Sequence, residues 1–131
     1  MSALRSTLAV LVGFAVMAGI LIVITPPMAR AFGAEDFRTL NQAFMLVNLL
    51  YTAAAAILAG FITAWIAGRK EIRHASVLGL LMIVAAFVSM RGQAEATPGW
   101  YEVVLGGCGP IAALVGAALR ILVRSRGTAA V

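Results

Sequence analysis

Gly106-Gly107-Cys108-Gly109-Pro110 places three glycines and a proline inside an otherwise apolar run. Such a sequence weakens a helix, and Pro110 removes the hydrogen bond to the carbonyl of Gly106. In lipid, a broken helix exposes backbone groups able to coordinate an ion or a small molecule. The same residues also read as a packing kink, since Gly and Pro are common in transmembrane helices. A second polar feature lies upstream. Asn41, Asn48, Thr52 and Thr63 fall near one helical face, with Tyr51 beside them. Unpaired amides are costly in hydrocarbon, so this face is expected to turn into a bundle or toward a partner. It serves either interhelical hydrogen bonding or the lining of a pathway. The candidate ligand or kink residues are therefore Gly106, Gly107, Gly109, Pro110 and Asn48.

Other chemistry is sparse. His74 is the only histidine and stands beside Arg73 at the edge of an apolar run, where an interfacial surface position is expected. Axial ligation of a haem or chlorophyll-type pigment is the outside possibility for it. Cys108 is the only cysteine, which excludes an intrachain disulfide and a Cys-based metal cluster. In apolar surroundings it reads as a small buried filler. No nucleophile–base pair, carboxylate dyad, phosphate-binding glycine loop or metal-spaced His/Cys cluster occurs in the sequence. No ionisable residue lies in the middle of an apolar run, which weighs against proton-coupled carriers, pumps and voltage sensors. Neither an enzyme nor a bound cofactor or metal is expected.

The elements that carry these residues follow from composition. Of 131 residues, 63% are hydrophobic and only 11% charged, with a mean hydropathy of +1.02. A soluble domain of this size needs more polar residues to cover its surface. A spanning helix takes about 20 apolar residues, so four of them use most of the chain. The expected class is all-α: a single domain over 1–131, with four transmembrane helices in an up-and-down bundle. The apolar runs cover about 8–24, 44–67, 75–90 and 103–123. The first is expected to stop at Thr25-Pro26-Pro27. The second helix starts early if Asp36 caps it, with Phe37, Leu40 and Phe44 on one face. Ile72 extends the third while Arg73 and His74 reach the headgroups. Thr97-Pro98 reads as cap and first residue of the fourth.

Charge orients the spans. One side holds Arg5, Arg69, Lys70, Arg73, Arg120, Arg124 and Arg126 against Glu71, a balance of +6 within the chain's +5. The other holds Arg30, Arg38 and Arg91 against Glu35, Asp36, Glu95 and Glu102, a balance of −1. The positive-inside rule then predicts cytoplasmic termini in a bacterial inner membrane. Trp100-Tyr101 and Trp65 fall where aromatic rings prefer the two interfaces. The basic character implies contact with anionic headgroups and excludes nucleic acid as the expected partner. Arg5, the first apolar run and Ala29-Arg30-Ala31 also resemble a signal peptide with its cleavage site. A 17-residue apolar stretch is longer than the usual signal core, so a retained helix is expected.

Small residues set the packing. Lipid supplies no hydrophobic drive between helices, so association relies on close backbone approach. Ala56, Gly60, Ala64 and Gly68 recur at four-residue spacing, as do Gly109, Ala113 and Ala117, with Ala112 and Gly116 on the adjoining row. Ala9 with Gly13, and Ala15 with Gly19, repeat the spacing in the first run. Ala56, Gly60, Ala64, Gly68, Gly109 and Ala113 are the candidate seam, closing the bundle or docking a neighbouring subunit.

The hairpin Gly60-Phe61-Ile62-Thr63-Ala64-Trp65-Ile66-Ala67-Gly68-Arg69-Lys70, followed by His74-Ala75 and Leu78-Gly79-Leu80, resembles one found in small four-helix bacterial inner-membrane proteins of uncharacterised function. Pro98-Gly99-Trp100-Tyr101 shares the resemblance. It implies a membrane address and carries over no activity. Small multidrug and fluoride exporters place a membrane-embedded Glu or characteristic polar motifs where this chain has none. Two function classes follow. One is a non-catalytic accessory subunit of a larger membrane complex, of respiratory or photosynthetic type, contacting other subunits. The other is a small self-associating channel or transporter with its site at the broken fourth helix.

Overall fold

The computed structural model describes residues 3–34, 40–91 and 97–129. They form four helices, α1 (Ala3–Ala31), α2 (Gln42–Ala67), α3 (Glu71–Met90) and α4 (Gly99–Ala129). Each is long and apolar enough to cross a membrane. Large apolar side chains stay on the outside, with Val103, Leu50 and Ile22 between 72% and 77% exposed. That surface suits acyl chains rather than water. Asp36 and Phe37, expected to open the second helix, lie outside the described residues, as do Glu35, Arg38 and Glu95.

α1 does not stop at its prolines. It runs through Pro26 and Pro27 to Ala31. Two prolines remove only the bonds to the carbonyls of Ile22 and Val23, and both rings lie on the exposed face. The last turn is held by packing of Ala29 with Ala34 and Phe44, and by the tilted Phe32–Phe44 ring pair at 6.4 Å. The true terminator is Gly33, left-handed at φ 65°. Its N–H bonds the Arg30 carbonyl at 3.1 Å and the next N–H, of Ala34, bonds the Ala29 carbonyl at 2.8 Å, which is a Schellman ending.

α2 begins at a cap, not within a polar stripe. Asn41 is extended, its Oδ1 accepts from the Phe44 N–H at 2.7 Å, and its amide donates to the Phe32 carbonyl at 2.6 Å. At the far end Gly68 has a second role beside close approach, since a Cβ on it would lie 3.2 Å from the Arg5 guanidinium. It is the left-handed cap of α2, its N–H on the Ala64 carbonyl. Lys70, at φ 52°, is the only non-glycine residue with positive φ among those described, a conformation that costs an L-residue about 1–2 kcal/mol. Thr97 does not cap α4. Its hydroxyl donates to the Glu102 carboxylate, and the first turn is closed by the Pro98 carbonyl accepting from Tyr101 at 3.0 Å.

Successive helices run antiparallel. Arg5 near the start of α1 donates to the Ile66 carbonyl near the end of α2 at 2.8 Å. Arg124 near the end of α4 donates to Glu71 at the start of α3 at 2.6 Å. Around the bundle, however, the order is α1, α2, α4, α3, so the most extensive contact joins the parallel pair α2 and α4. Every pair of helices approaches closely along the backbone except α1 with α4, which lie diagonally across the bundle.

Glycine makes the tightest crossings possible. A Cβ on Gly60 would lie 2.0 Å from the Ala113 carbonyl oxygen, and one on Gly116 would lie 1.9 Å from that of Ile57. Ala56, Ala64, Ala113 and Ala117 are buried at the same α2–α4 interface or just beside it. Gly109 faces Met82 of α3, at 3.5 Å from a would-be Cβ. Gly13 brings α1 onto α2 over Thr63, whose buried hydroxyl has no hydrogen-bond partner among the described residues. At the basic end, Arg124 also donates to the Gly68 carbonyl at 3.1 Å. Two arginines from α1 and α4 thus close the carbonyl end of α2, where cations are favoured. Glu71, only 9% exposed at its side chain, is the counter-charge.

Candidate functional site

α1 and α4 stand diagonally across the bundle with no close backbone contact, and a cavity of about 370 Å³ lies between them. That is within the ordinary range of small-molecule pockets. It reaches from Met17, Met82 and Gly109 at mid-bundle to Thr97, Tyr101 and Glu102 at the end away from the basic cluster. Below Met82 the core of Val10, Ala56, Ala59, Leu78 and Ala113 closes it. No described residue of the basic cluster lines the cavity.

The candidate residues meet here. Asn48 from α2 and Gly106, Gly109 and Pro110 from α4 all line the cavity. Gly107 does not, and a Cβ built on it meets nothing within 4 Å. α4 is helical throughout, Pro110 included. The absent side chains of Gly106 and Gly109 therefore matter as space. A Cβ on Gly106 would stand 4.0 Å from Met90 Cε.

Polar groups gather on this mainly apolar wall. The Thr52 hydroxyl donates to Asn48 Oδ1 at 3.0 Å. No described residue bonds the amide nitrogen of Asn48. Tyr51 donates to the Thr25 hydroxyl at 3.1 Å, fixing Thr25 at the wall. Glu102 is the one charged side chain lining the cavity among the described residues. Phe14, Phe44 and Leu105 supply apolar surface. Such a site can hold an apolar body with one hydrogen-bonding or cationic end.

Several residues fall elsewhere than the sequence indicates. Tyr101 is no interfacial belt residue: it is 3% exposed and sits edge-on to Trp100, with centroids 5.9 Å apart. Trp100 and Trp65 do remain exposed. His74 is buried, not on the surface, because it shares a helix face with Leu78 of the core. Its Nδ1 lies 2.9 Å from the Lys70 carbonyl, at the end opposite the cavity. Cys108 is a half-buried free thiol. Among the described residues no group of three or more His, Cys, Asp or Glu is placed to hold a metal. Thr25, Thr97, Tyr101 and Glu102 were not singled out as site residues by the sequence. Their polarity at the ends of apolar runs was the available signal, and it pointed equally to caps and interfaces.

No protein-family model, curated protein or solved structure matches the chain. The architecture itself stands: a four-helix protein with four candidate membrane spans.

Proposed function

We propose that this protein is a non-catalytic, membrane-embedded binding protein of the carrier class, holding a small amphipathic molecule between α1 and α4. The observation that carries the reading is the convergence of Asn48, Gly106, Gly109 and Pro110 on one cavity with Glu102 at its rim. The apolar wall accommodates the body of the ligand, and Asn48 and Glu102 receive its polar end. A cavity floored by the packed core of Val10, Ala56, Leu78 and Ala113 favours capture over conduction through a single bundle. The test is native mass spectrometry of protein extracted from its own membranes in mild detergent. A molecule of a few hundred daltons bound at one per chain is expected. Empty chains migrating with larger subunits would overturn the binding reading.

One observation favours the second reading, an accessory subunit of a larger complex. The Ala15–Gly19 row of α1 is exposed, and a Cβ on Gly19 meets nothing within 4 Å. It leaves a small-residue surface for a neighbouring helix.

The proposal places the chain in a bacterial cytoplasmic membrane with both termini and the basic end inside, supported by the +6 and −1 charge balance of the two sides. Reporter fusions after Arg73 and Val131 are expected to read cytoplasmic, and fusions at Glu35 and Glu95 external. The reverse pattern would invert the orientation.

A further inference from the structure

A second concavity lies at the basic end, in the groove between α1 and α3. Its upper part is formed by Arg69, Lys70, Arg73, His74 and Ser6. Its lower part, one to two turns further along each helix, is Val10, Leu11, Val77 and Leu81. Charge therefore lies above and aliphatic surface below, in the order in which a phospholipid presents its phosphate and acyl chain. No acidic side chain lines the groove among the described residues; Glu71, the nearest acid in sequence, is engaged with Arg124. Arg69, Lys70 and Arg73 are all exposed. The turn that presents two of them holds Lys70 in the left-handed region, where glycine or asparagine would be easier. That strain is tolerated at a residue that lines the groove.

We infer that the α1–α3 groove is a binding site for one anionic phospholipid, its phosphate held by Arg69, Lys70 and Arg73 and its acyl chain lying on Val10, Val77 and Leu81. Cations near a membrane surface attract anionic headgroups, and here three converge over a matching apolar floor. The inference stands on a different face from the α1–α4 cavity and does not depend on it.

The experiment uses full-length protein in nanodiscs of phosphatidylcholine with and without phosphatidylglycerol, with retained lipid counted by native mass spectrometry. The wild type is expected to keep one phosphatidylglycerol through delipidation. Arg69→Gln/Arg73→Gln should weaken that retention by about thirtyfold, the contribution of two cations near a surface. Arg120→Gln/Arg126→Gln removes the same charge from the same end but outside the groove, and should leave retention unchanged. Equal loss in both double variants would reduce the effect to general surface charge and overturn the site. Displacement of the lipid by millimolar glycerol phosphate would overturn the lipid assignment, since the acyl floor would then contribute nothing. If Arg69→Gln/Arg73→Gln melts with the wild type in pure phosphatidylcholine, its lost retention reports the groove and not the fold.

Discussion

Gly60→Ala is expected to lower the stability of the bundle by about 3 kcal/mol or more, at the upper end of overpacking costs. The new Cβ would stand 2.0 Å from the Ala113 carbonyl oxygen and 2.7 Å from both its carbonyl carbon and its Cα. These are backbone atoms, so no rotamer change relieves the clash, and α2 and α4 must move apart. They form the largest helix contact in the molecule, and close approach is the main source of association in lipid. Gly116→Ala should behave alike, because its Cβ would lie 1.9 Å from the Ile57 carbonyl oxygen. Gly19→Ala meets nothing within 4 Å and should be neutral or slightly stabilising. Unfolding titrations in mixed detergent–SDS micelles read the order directly. Equal stability of Gly60→Ala and Gly19→Ala would mean that the α2–α4 crossing does not hold the bundle.

The helices themselves were legible because each is an apolar run long enough to span, and this signal survives without knowledge of neighbours. Their ends were less so. Pro26-Pro27 looked like a stop, yet what ends α1 is the left-handed Gly33 with its two carbonyl bonds. That ending is readable from Gly33 only if the prolines are allowed inside the helix. Asn41 was assigned to a polar stripe by its spacing from Asn48, and became a cap because the helix starts after it. The ring order could not be read at all. Three-residue and longer links fix the antiparallel alternation but leave open which helices become lateral neighbours. Hence the small-residue rows of α2 and α4, around Gly60 and around Ala113 and Gly116, were both visible, while their pairing across a parallel crossing was not.

The site shows the same division. Asn48 and the Gly106–Pro110 segment were recognised separately, each with a bland alternative, and nothing in the sequence joins them. The cavity does so because α1 and α4 remain apart. Glu102 and Tyr101 became part of it through the same gap, since a first-turn carboxylate and an aromatic residue read from sequence as an interface. Glu71 was counted only as one acid among seven basic residues. Its burial against Arg124 ties α3 to α4 at the end where α2 terminates.

Two substitutions one residue apart on α4 should separate space from flexibility. Gly106→Leu should expel the bound molecule, weakening retention by about 10- to 100-fold, the binding equivalent of a steric cost of roughly 1–3 kcal/mol. Its side chain would enter the cavity toward Met90, whose Cε lies 4.0 Å from the would-be Cβ. Gly107→Ala stiffens the same helical turn but projects into open space. It should retain the molecule and gain about 0.5–1 kcal/mol from helix propensity. A mechanism resting on a flexible break in α4 predicts the opposite ranking, because alanine at Gly107 would then be the damaging change. Native mass spectrometry gives occupancy, and thermal unfolding in the same detergent shows whether each variant is folded. A folded Gly106→Leu protein that keeps its ligand would place binding outside the cavity. Loss in Gly107→Ala alone would locate function in the motion of α4 instead of the space that its glycines leave.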